Sequence, residues 1–100
     1  MALYIIIGHD VPDSLELRKQ FRSAHLERLT QLDEQRRLII AGPTPIAHGE
    51  PEMSGSVLIV DFDSDEAVQA WASEEPYLLN GVYSHVDIKP FIQVFPKSAS

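Results

Sequence analysis

The stretch LYIIIG, residues 3–8, decides the fold of this chain of 100 residues. It is apolar, rich in β-branched side chains and of strand length, and a turn-like segment from His9 to Pro12 follows it. Its odd-numbered and even-numbered positions are both apolar, whereas a strand with one solvated face alternates apolar and polar side chains. The stretch therefore predicts a strand that is covered on both faces of its sheet.

Five further elements are predicted by hydrophobic periodicity and by turn residues. They are a helix over 14–35, a strand over 38–41, a strand over 56–62, a helix from the N-cap Ser64 to about residue 73, and a strand over 83–95. Gly42 and Pro43 are expected to end the second strand, and Pro90 to interrupt the last one, because proline donates no ladder hydrogen bond. The proline- and glycine-rich segment 44–55 is expected to be the longest loop.

The element order βαββαβ predicts an α+β, ferredoxin-like fold, with a four-stranded antiparallel sheet and two helices on one face. The third strand is also apolar on both faces, yet one chain supplies helices for only one of them. A second copy is the simplest cover for the other face, so we expect a homodimer whose sheets face each other. We expect a single domain over residues 1–96, followed by a polar tail over 97–100.

Composition excludes several classes of function. The chain has 15 acidic and 8 basic side chains and a net charge of −7, which disfavours nucleic acid as a partner. No apolar run approaches the roughly 18 residues of a membrane span, and the N-terminus lacks the features of a signal peptide, so we expect a cytoplasmic protein with no membrane partner. The absence of cysteine excludes disulfides and thiolate chemistry.

A histidine lies on the apolar face of the first predicted helix. On a helical wheel Phe21, Leu29 and Leu32 fall within about 40° of His25, and Arg22 lies about 60° away, near the edge of that face. One interpretation is a core histidine whose nitrogens are satisfied internally. The other is a histidine at the floor of a pocket, oriented by a carboxylate and free to transfer a proton. The position alone does not separate the two.

The histidines of the chain show no spacing typical of a metal or cofactor site. The four histidines, His9, His25, His48 and His85, show neither an H-x-x-x-H nor an H-E-x-x-H spacing, and no acidic residues near them follow a ligand pattern. The chain also has no G-x-G-x-x-G, P-loop or G-x-S-x-G motif. We therefore expect no metal site and no cofactor.

Several motifs together resemble the YciI-like (YCII-related) family, over nearly the whole chain from Leu3 to Phe95. The matching segments are LELR at 15–18, R-x-x-H at 22–25, HLERL at 25–29, RLIIAGP at 37–43, GS at 55–56, W-A-x-x-x-P-Y at 71–77, GVY at 81–83 and KPF at 89–91. The resemblance implies a ferredoxin-like chain in a dimeric α/β-barrel type assembly. It also implies a pocket at or beside the dimer interface.

In the family pattern that pocket surrounds the histidine of R-x-x-H and the acid of an Asp-Pro-Tyr motif. The matching positions are His25 and Glu75, so a longer glutamate replaces the family's aspartate. A related branch includes a dehydrochlorinase that acts on a chlorinated hydroxyhydroquinone, with a histidine–aspartate pair implicated in proton transfer. The resemblance thus implies proton-transfer or lyase chemistry on a small, aromatic organic molecule.

We therefore expect His25 to be the base, Glu75 to orient it and Arg22 to stabilise the resulting anion. The other expected binding residues are Gly42, Pro43, Ser56 and Tyr77. Turn formation explains the glycine and proline equally well, and core packing explains the tyrosine. The alternative function is a non-catalytic, dimeric binding or accessory domain of a metabolic pathway.

Overall fold

The computed structural model describes residues 2–97. Its strands are β1 (Ala2–Asp10), β2 (Leu38–Pro45), β3 (Met53–Phe62) and β4 (Tyr83–Phe91), and its helices are α1 (Leu15–Glu34), α2 (Asp65–Ser73) and α3 (Pro76–Leu79). The sheet order is β2-β3-β1-β4 and every pair is antiparallel, so β2 and β4 are the edges. This confirms the predicted ferredoxin-like α+β fold. Within residues 2–97, the helices lack the combination of length and apolarity that crossing a membrane requires.

The main core lies between one face of the sheet and the two long helices. Its buried residues are Tyr4, Ile6, Leu58, Val60 and Phe62 from the sheet, Leu32 from α1, and Val68 and Ala72 from α2. The strand pairing Tyr4 with Val60 and Ile6 with Leu58 puts these side chains on the same face, because alternate residues of a strand point the same way. Both long helices therefore cover the same face of the sheet, as predicted.

The opposite face of the sheet, which we call the helix-free face, is also apolar. Its central side chains are Leu3, Ile5, Ile7, Val57 and Ile59, and all five are half-buried rather than buried. They belong to the two central strands, and no helix of residues 2–97 packs over them. The two-faced apolar pattern of the sequence thus corresponds to a real apolar surface.

The prediction that Gly42 and Pro43 end β2 is wrong. The strand continues to Pro45, and Gly42 and Pro43 pair with Val57 and Ser56 of β3. An edge strand tolerates proline because only one of its sides carries a hydrogen-bonded ladder. As a result β3 starts earlier than predicted, at Met53, and the connecting loop is shorter.

The prediction for the last strand is wrong in the same way. Pro90 lies within regular pairing, opposite Tyr4, and β4 ends at Phe91 instead of residue 95. Since β4 is the other edge strand, proline costs it no ladder bond. The segment 92–97 is outside the sheet. From residue 98 on, the predicted tail lies outside the described residues.

Two glycines let β1, β3 and an aromatic ring approach closely. A Cβ atom on Gly8 would lie 2.5 Å from Cζ of Tyr83, so the ring packs directly on the glycine. A Cβ atom on Gly55 would run into the backbone oxygen of Gly8. The contact at Gly55 is with backbone, which cannot move aside as a side chain can.

We predict that Gly55→Ala lowers the free energy of unfolding by about 1–3 kcal/mol, the usual cost of overpacking. Gly42→Ala is the matched control, because a Cβ atom there meets nothing within 4 Å. It should change stability by less than about 0.5 kcal/mol. Chemical denaturation of both variants checks this, and equal effects would contradict it.

Candidate active site

A cavity of about 160 Å³ lies between α1 and the β2–β3 edge of the sheet. It is close in size to the roughly 150 Å³ cavity that accommodates benzene. Its lining residues are Arg18, Arg22, His25, Leu26, Leu29, Ala41, Gly42, Pro43, Ser56, Leu58 and Tyr77. The structure therefore brings His25 together with all five residues that the sequence analysis assigns to binding. Of these five, Ser56 and Tyr77 are buried, while Arg22, Gly42 and Pro43 are exposed.

His25 and Glu75 form a direct, buried pair behind this cavity. His25 Nδ1 lies 2.5 Å from Glu75 Oε1, and the two residues are only 7% and 4% exposed. The second carboxylate oxygen, Oε2, accepts a hydrogen bond of 2.9 Å from the backbone N–H of Tyr77. Glu75 is thus the N-cap of α3, with Pro76 as the first helical residue, and the start of this helix fixes the carboxylate.

The pairing leaves the other ring nitrogen of His25 available. When Nδ1–H donates to a carboxylate, Nε2 carries the free lone pair. No side chain or backbone group of residues 2–97 hydrogen-bonds to that Nε2, although His25 lines the cavity. The Tyr77 ring stacks on the imidazole, with centroids 4.0 Å apart and planes 9° from parallel. Carboxylate and phenol ring together fix the orientation of the imidazole.

A second buried ion pair lies beside the first. Arg18 binds both oxygens of Asp10, with Nε at 2.6 Å and Nη2 at 2.9 Å, and the Asp10 side chain is 1% exposed. The same Nη2 also donates to the backbone oxygen of Gly55 at 2.8 Å and to Ser56 Oγ at 3.0 Å. Burial acts to lower the pKa of Arg18, but the hydrogen bonds and charge of Asp10 raise it by more, so the guanidinium stays charged.

Sequence reasoning missed Arg18 as a residue of this site. Arg18 lies seven residues before His25 and only about 20° away on the helical wheel. The sequence could therefore have placed Arg18 on the same face of α1 as His25. The helical spacing was not taken as evidence of burial, because a charged arginine side chain is expected to be exposed to solvent. The structure places it against the Tyr77 ring, 5.1 Å from the centroid, and on the wall of the cavity.

Two tyrosines complete the buried surroundings of the site. Tyr83 packs edge-on to Tyr77 with centroids 5.6 Å apart, and its hydroxyl is buried without a hydrogen-bond partner among residues 2–97. Burial raises the pKa of Tyr83 well above its usual value, and the nearby Ser56 hydroxyl only partly opposes this. Burial also raises the pKa of Tyr77. Both phenols therefore keep their protons at neutral pH.

A larger groove of about 830 Å³ lies at the other end of the sheet. Its lining residues are Ala2, Leu3, Tyr4, Ile39, Pro90, Phe91, Ile92, Gln93, Val94, Pro96 and Lys97. This wall is mostly apolar and contains neither a histidine nor a carboxylate. It therefore has the character of a packing surface, and the smaller cavity beside His25 is the candidate active site.

The fold and the site define a class: a small ferredoxin-like domain with a buried histidine–carboxylate pair behind a cavity that fits a single ring. Comparison with known proteins gives the family. The profile of the YCII-related domain matches residues 2–92, so the chain belongs to the YCII-related domain family.

Curated relatives agree with this assignment. The chain is 47% identical over 97 residues to the proteins YciI of Escherichia coli (strain CFT073) and Shigella flexneri, covering 93% of this chain and 99% of theirs. It is 41% identical over 96 residues to a Haemophilus influenzae protein, covering 92% of this chain and 98% of the relative.

Two solved structures place the fold among known ones. The 5-chloro-2-hydroxyhydroquinone dehydrochlorinase of Burkholderia phenoliruptrix, in complex with 2,5-dihydroxybenzoquinone, is 26% identical with a TM-score of 0.82, over 91% of this chain and 94% of the enzyme. A dimeric ferredoxin-like protein from an uncultured marine organism is 15% identical with a TM-score of 0.52, over 95% and 98% of the two chains. The second likeness concerns the fold alone.

We predict that Asp10→Asn lowers the free energy of unfolding by about 3–5 kcal/mol, because it leaves the buried Arg18 charge without its counter-ion. The matched control is Glu16→Gln, which removes an exposed ion pair to Lys19 with N–O at 3.7 Å. That change should cost less than about 1 kcal/mol. Denaturant titration compares the two variants, and a small effect of Asp10→Asn would contradict the importance of the buried pair.

Proposed function

We propose that this protein binds a small, single-ring organic molecule beside His25 and acts on it by proton transfer, as an isomerase- or lyase-type enzyme. The observation that carries the proposal is the buried His25–Glu75 pair with Nδ1 and Oε1 2.5 Å apart, because it orients the imidazole and leaves Nε2 beside the cavity. The cytoplasmic location expected from the sequence stays a prediction.

In the proposed reaction His25 Nε2 removes a proton from the ligand. Glu75 stabilises the imidazolium that forms, since the carboxylate already holds Nδ1–H. In a lyase reaction the proton leaves a carbon next to the departing group, and the C–H electron pair becomes the new double bond. The departing group takes its own bonding electrons. His25 then returns the proton to water or to the product.

Two guanidinium groups on the cavity wall favour an anionic ligand. Arg18 and Arg22 both line the cavity, whereas their acidic neighbours Asp10 and Glu75 lie behind it. Arg22 is exposed and forms no ion pair with residues 2–97, so its charge is free for a ligand. Such groups stabilise a negatively charged oxygen that develops when a phenol or a carbon acid loses its proton.

Cavity size and a structural neighbour both support a single aromatic ring. A volume of about 160 Å³ is close to that of a cavity that accommodates one benzene ring. The dehydrochlorinase with a TM-score of 0.82 is described in complex with 2,5-dihydroxybenzoquinone, a single-ring compound. This compound is therefore a suitable probe.

We predict that 2,5-dihydroxybenzoquinone raises the melting temperature of the wild type and that the protein accelerates exchange of its ring protons in deuterated water. His25→Ala should lower the exchange rate by about 10²–10⁴-fold, the usual contribution of a general base. Glu75→Gln should lower it as well, because it removes the negative charge that stabilises the imidazolium. Proton NMR of the probe follows the exchange.

His48→Ala is the matched control, because His48 is exposed and lies in a loop away from the cavity. Circular dichroism of each variant verifies that the fold is retained. Wild-type affinity for the probe together with wild-type exchange rates in both His25→Ala and Glu75→Gln would overturn the site. Binding without any exchange in the wild type would favour the non-catalytic binding or accessory domain.

We further propose that the protein is a homodimer that pairs its helix-free faces. Support comes from the five apolar side chains on this face, which one chain leaves only half-buried. Further exposed apolar residues follow β4 along the chain, at Ile92, Val94 and Phe95, which are 83%, 66% and 69% exposed. Apolar surface of this extent is typical of an interface.

We predict that Ile59→Lys converts the dimer to a monomer, because the substitution places a charge in the centre of the helix-free face. Leu79→Lys is the matched control, since Leu79 on α3 is 66% exposed and lies outside that face. Light scattering gives the mass of both variants. A monomeric wild type at micromolar concentration would rule out the dimer.

A further inference from the structure

We propose that His9, His85 and Asp87 form a binding site for a divalent transition-metal ion, best suited to Zn²⁺. Their ligand atoms, two imidazole nitrogens and one carboxylate oxygen, all lie within 4.8 Å of one another. The site is independent of the His25 cavity, because these side chains lie on the other face of the sheet.

Strand pairing creates this cluster. His9 of β1 lies directly opposite His85 of β4, and Asp87 follows two residues further along the same strand. Side chains of directly opposite residues, and of alternate residues in one strand, point to the same face. His9 also continues the alternation of Ile5 and Ile7, so the cluster lies on the helix-free face, toward the β4 edge.

The side chains are already close to a ligand geometry. His9 Nε2 is 2.8 Å from Asp87 Oδ2, and the two imidazole rings stack with centroids 4.4 Å apart. Tetrahedral Zn²⁺ with bonds of about 2.0–2.2 Å holds its ligand atoms roughly 3.3 Å apart. Ligand atoms within 4.8 Å thus need to move by no more than about 1.5 Å, which a rotation of an exposed ring provides.

One neighbouring hydroxyl can orient a ligand. Ser84 Oγ lies 2.8 Å from His85 Nδ1, which leaves His85 Nε2 as the nitrogen without a hydrogen bond to residues 2–97. A hydrogen bond to the non-ligating nitrogen is the usual support for a histidine that binds a metal. In the single chain the side chains of His9 and Asp87 are 41% and 50% exposed, so a hydrated ion can reach them there.

The ligand atoms of this cluster favour a transition-metal ion over Mg²⁺ and Ca²⁺. Two imidazoles and one carboxylate suit Zn²⁺, whereas Mg²⁺ and Ca²⁺ prefer oxygen ligands throughout. Three protein ligands leave a fourth position for water. The net charge of −7 further favours a cation near this surface. The exposed His9–Asp87 pair adds little to the stability of the fold, so a metal ion that replaces this contact costs the fold little.

The test is a calorimetric titration of tag-free, full-length protein with ZnCl₂, repeated with Co²⁺ as a probe of coordination geometry by visible absorption. We expect saturable binding of one Zn²⁺ per chain and a Co²⁺ spectrum typical of four-coordination. His85→Ala, His9→Ala and Asp87→Ala should each weaken binding by at least about tenfold. All three residues are exposed or half-buried, so these variants are expected to fold.

His48→Ala is the control, because it removes an exposed histidine from a loop outside the cluster. It should leave Zn²⁺ affinity unchanged. The absence of saturable binding in the wild type would overturn the site, and so would wild-type affinity in both histidine variants. An equal loss of affinity in His48→Ala would overturn it too, since binding would then be non-specific.

Discussion

The buried ion pair between Arg18 and Asp10 is the interaction on which the rest of the structure depends. An unpaired buried charge costs several kcal/mol, and here the charge is balanced by both oxygens of Asp10 and shared with Gly55 and Ser56. These contacts tie α1 to β1 and β3 at one point. Because a helix is a rigid rod, fixing Arg18 also fixes the depth at which His25, two turns later, meets the sheet.

The same interaction links the two buried ion pairs. Arg18 contacts one side of the site through the Tyr77 ring, and that ring stacks on the imidazole of His25. The backbone N–H of Tyr77 in turn donates to Glu75, the partner of His25. Helix α3, only four residues long, is therefore held by side chains from α1 as well as by its own cap. These contacts among Arg18, Tyr77, His25 and Glu75 together fix the positions of the side chains in the site.

Much of this arrangement is visible in the sequence. Apolar runs of strand length predicted the strands, and helical spacing predicted the helices and the buried face that carries His25, because burial imposes these patterns. Glu75 was predicted through family resemblance, since nothing in its local pattern distinguishes it from the adjacent Glu74. Two features were not predicted from the sequence. The first is the burial of Arg18, because a charged side chain is expected to be exposed to solvent. The second is the position of His9 opposite His85, because it depends on the order of the strands in the sheet and not on the spacing of residues in the chain.

The strand ends were predicted less well, for a reason that bears on how the chain behaves at high concentration. Pro43 in β2 and Pro90 in β4 were expected to limit or interrupt their strands, but these two prolines and Pro45 lie on the two edges of the sheet. Without their N–H groups these edges are poor templates for a foreign strand. The segment LYIIIG, whose composition suits cross-β aggregation, is enclosed between β3 and β4. The edge prolines thus disfavour the addition of further strands at the sheet edges. They leave the helix-free face unchanged, so this protection does not prevent contacts through that face.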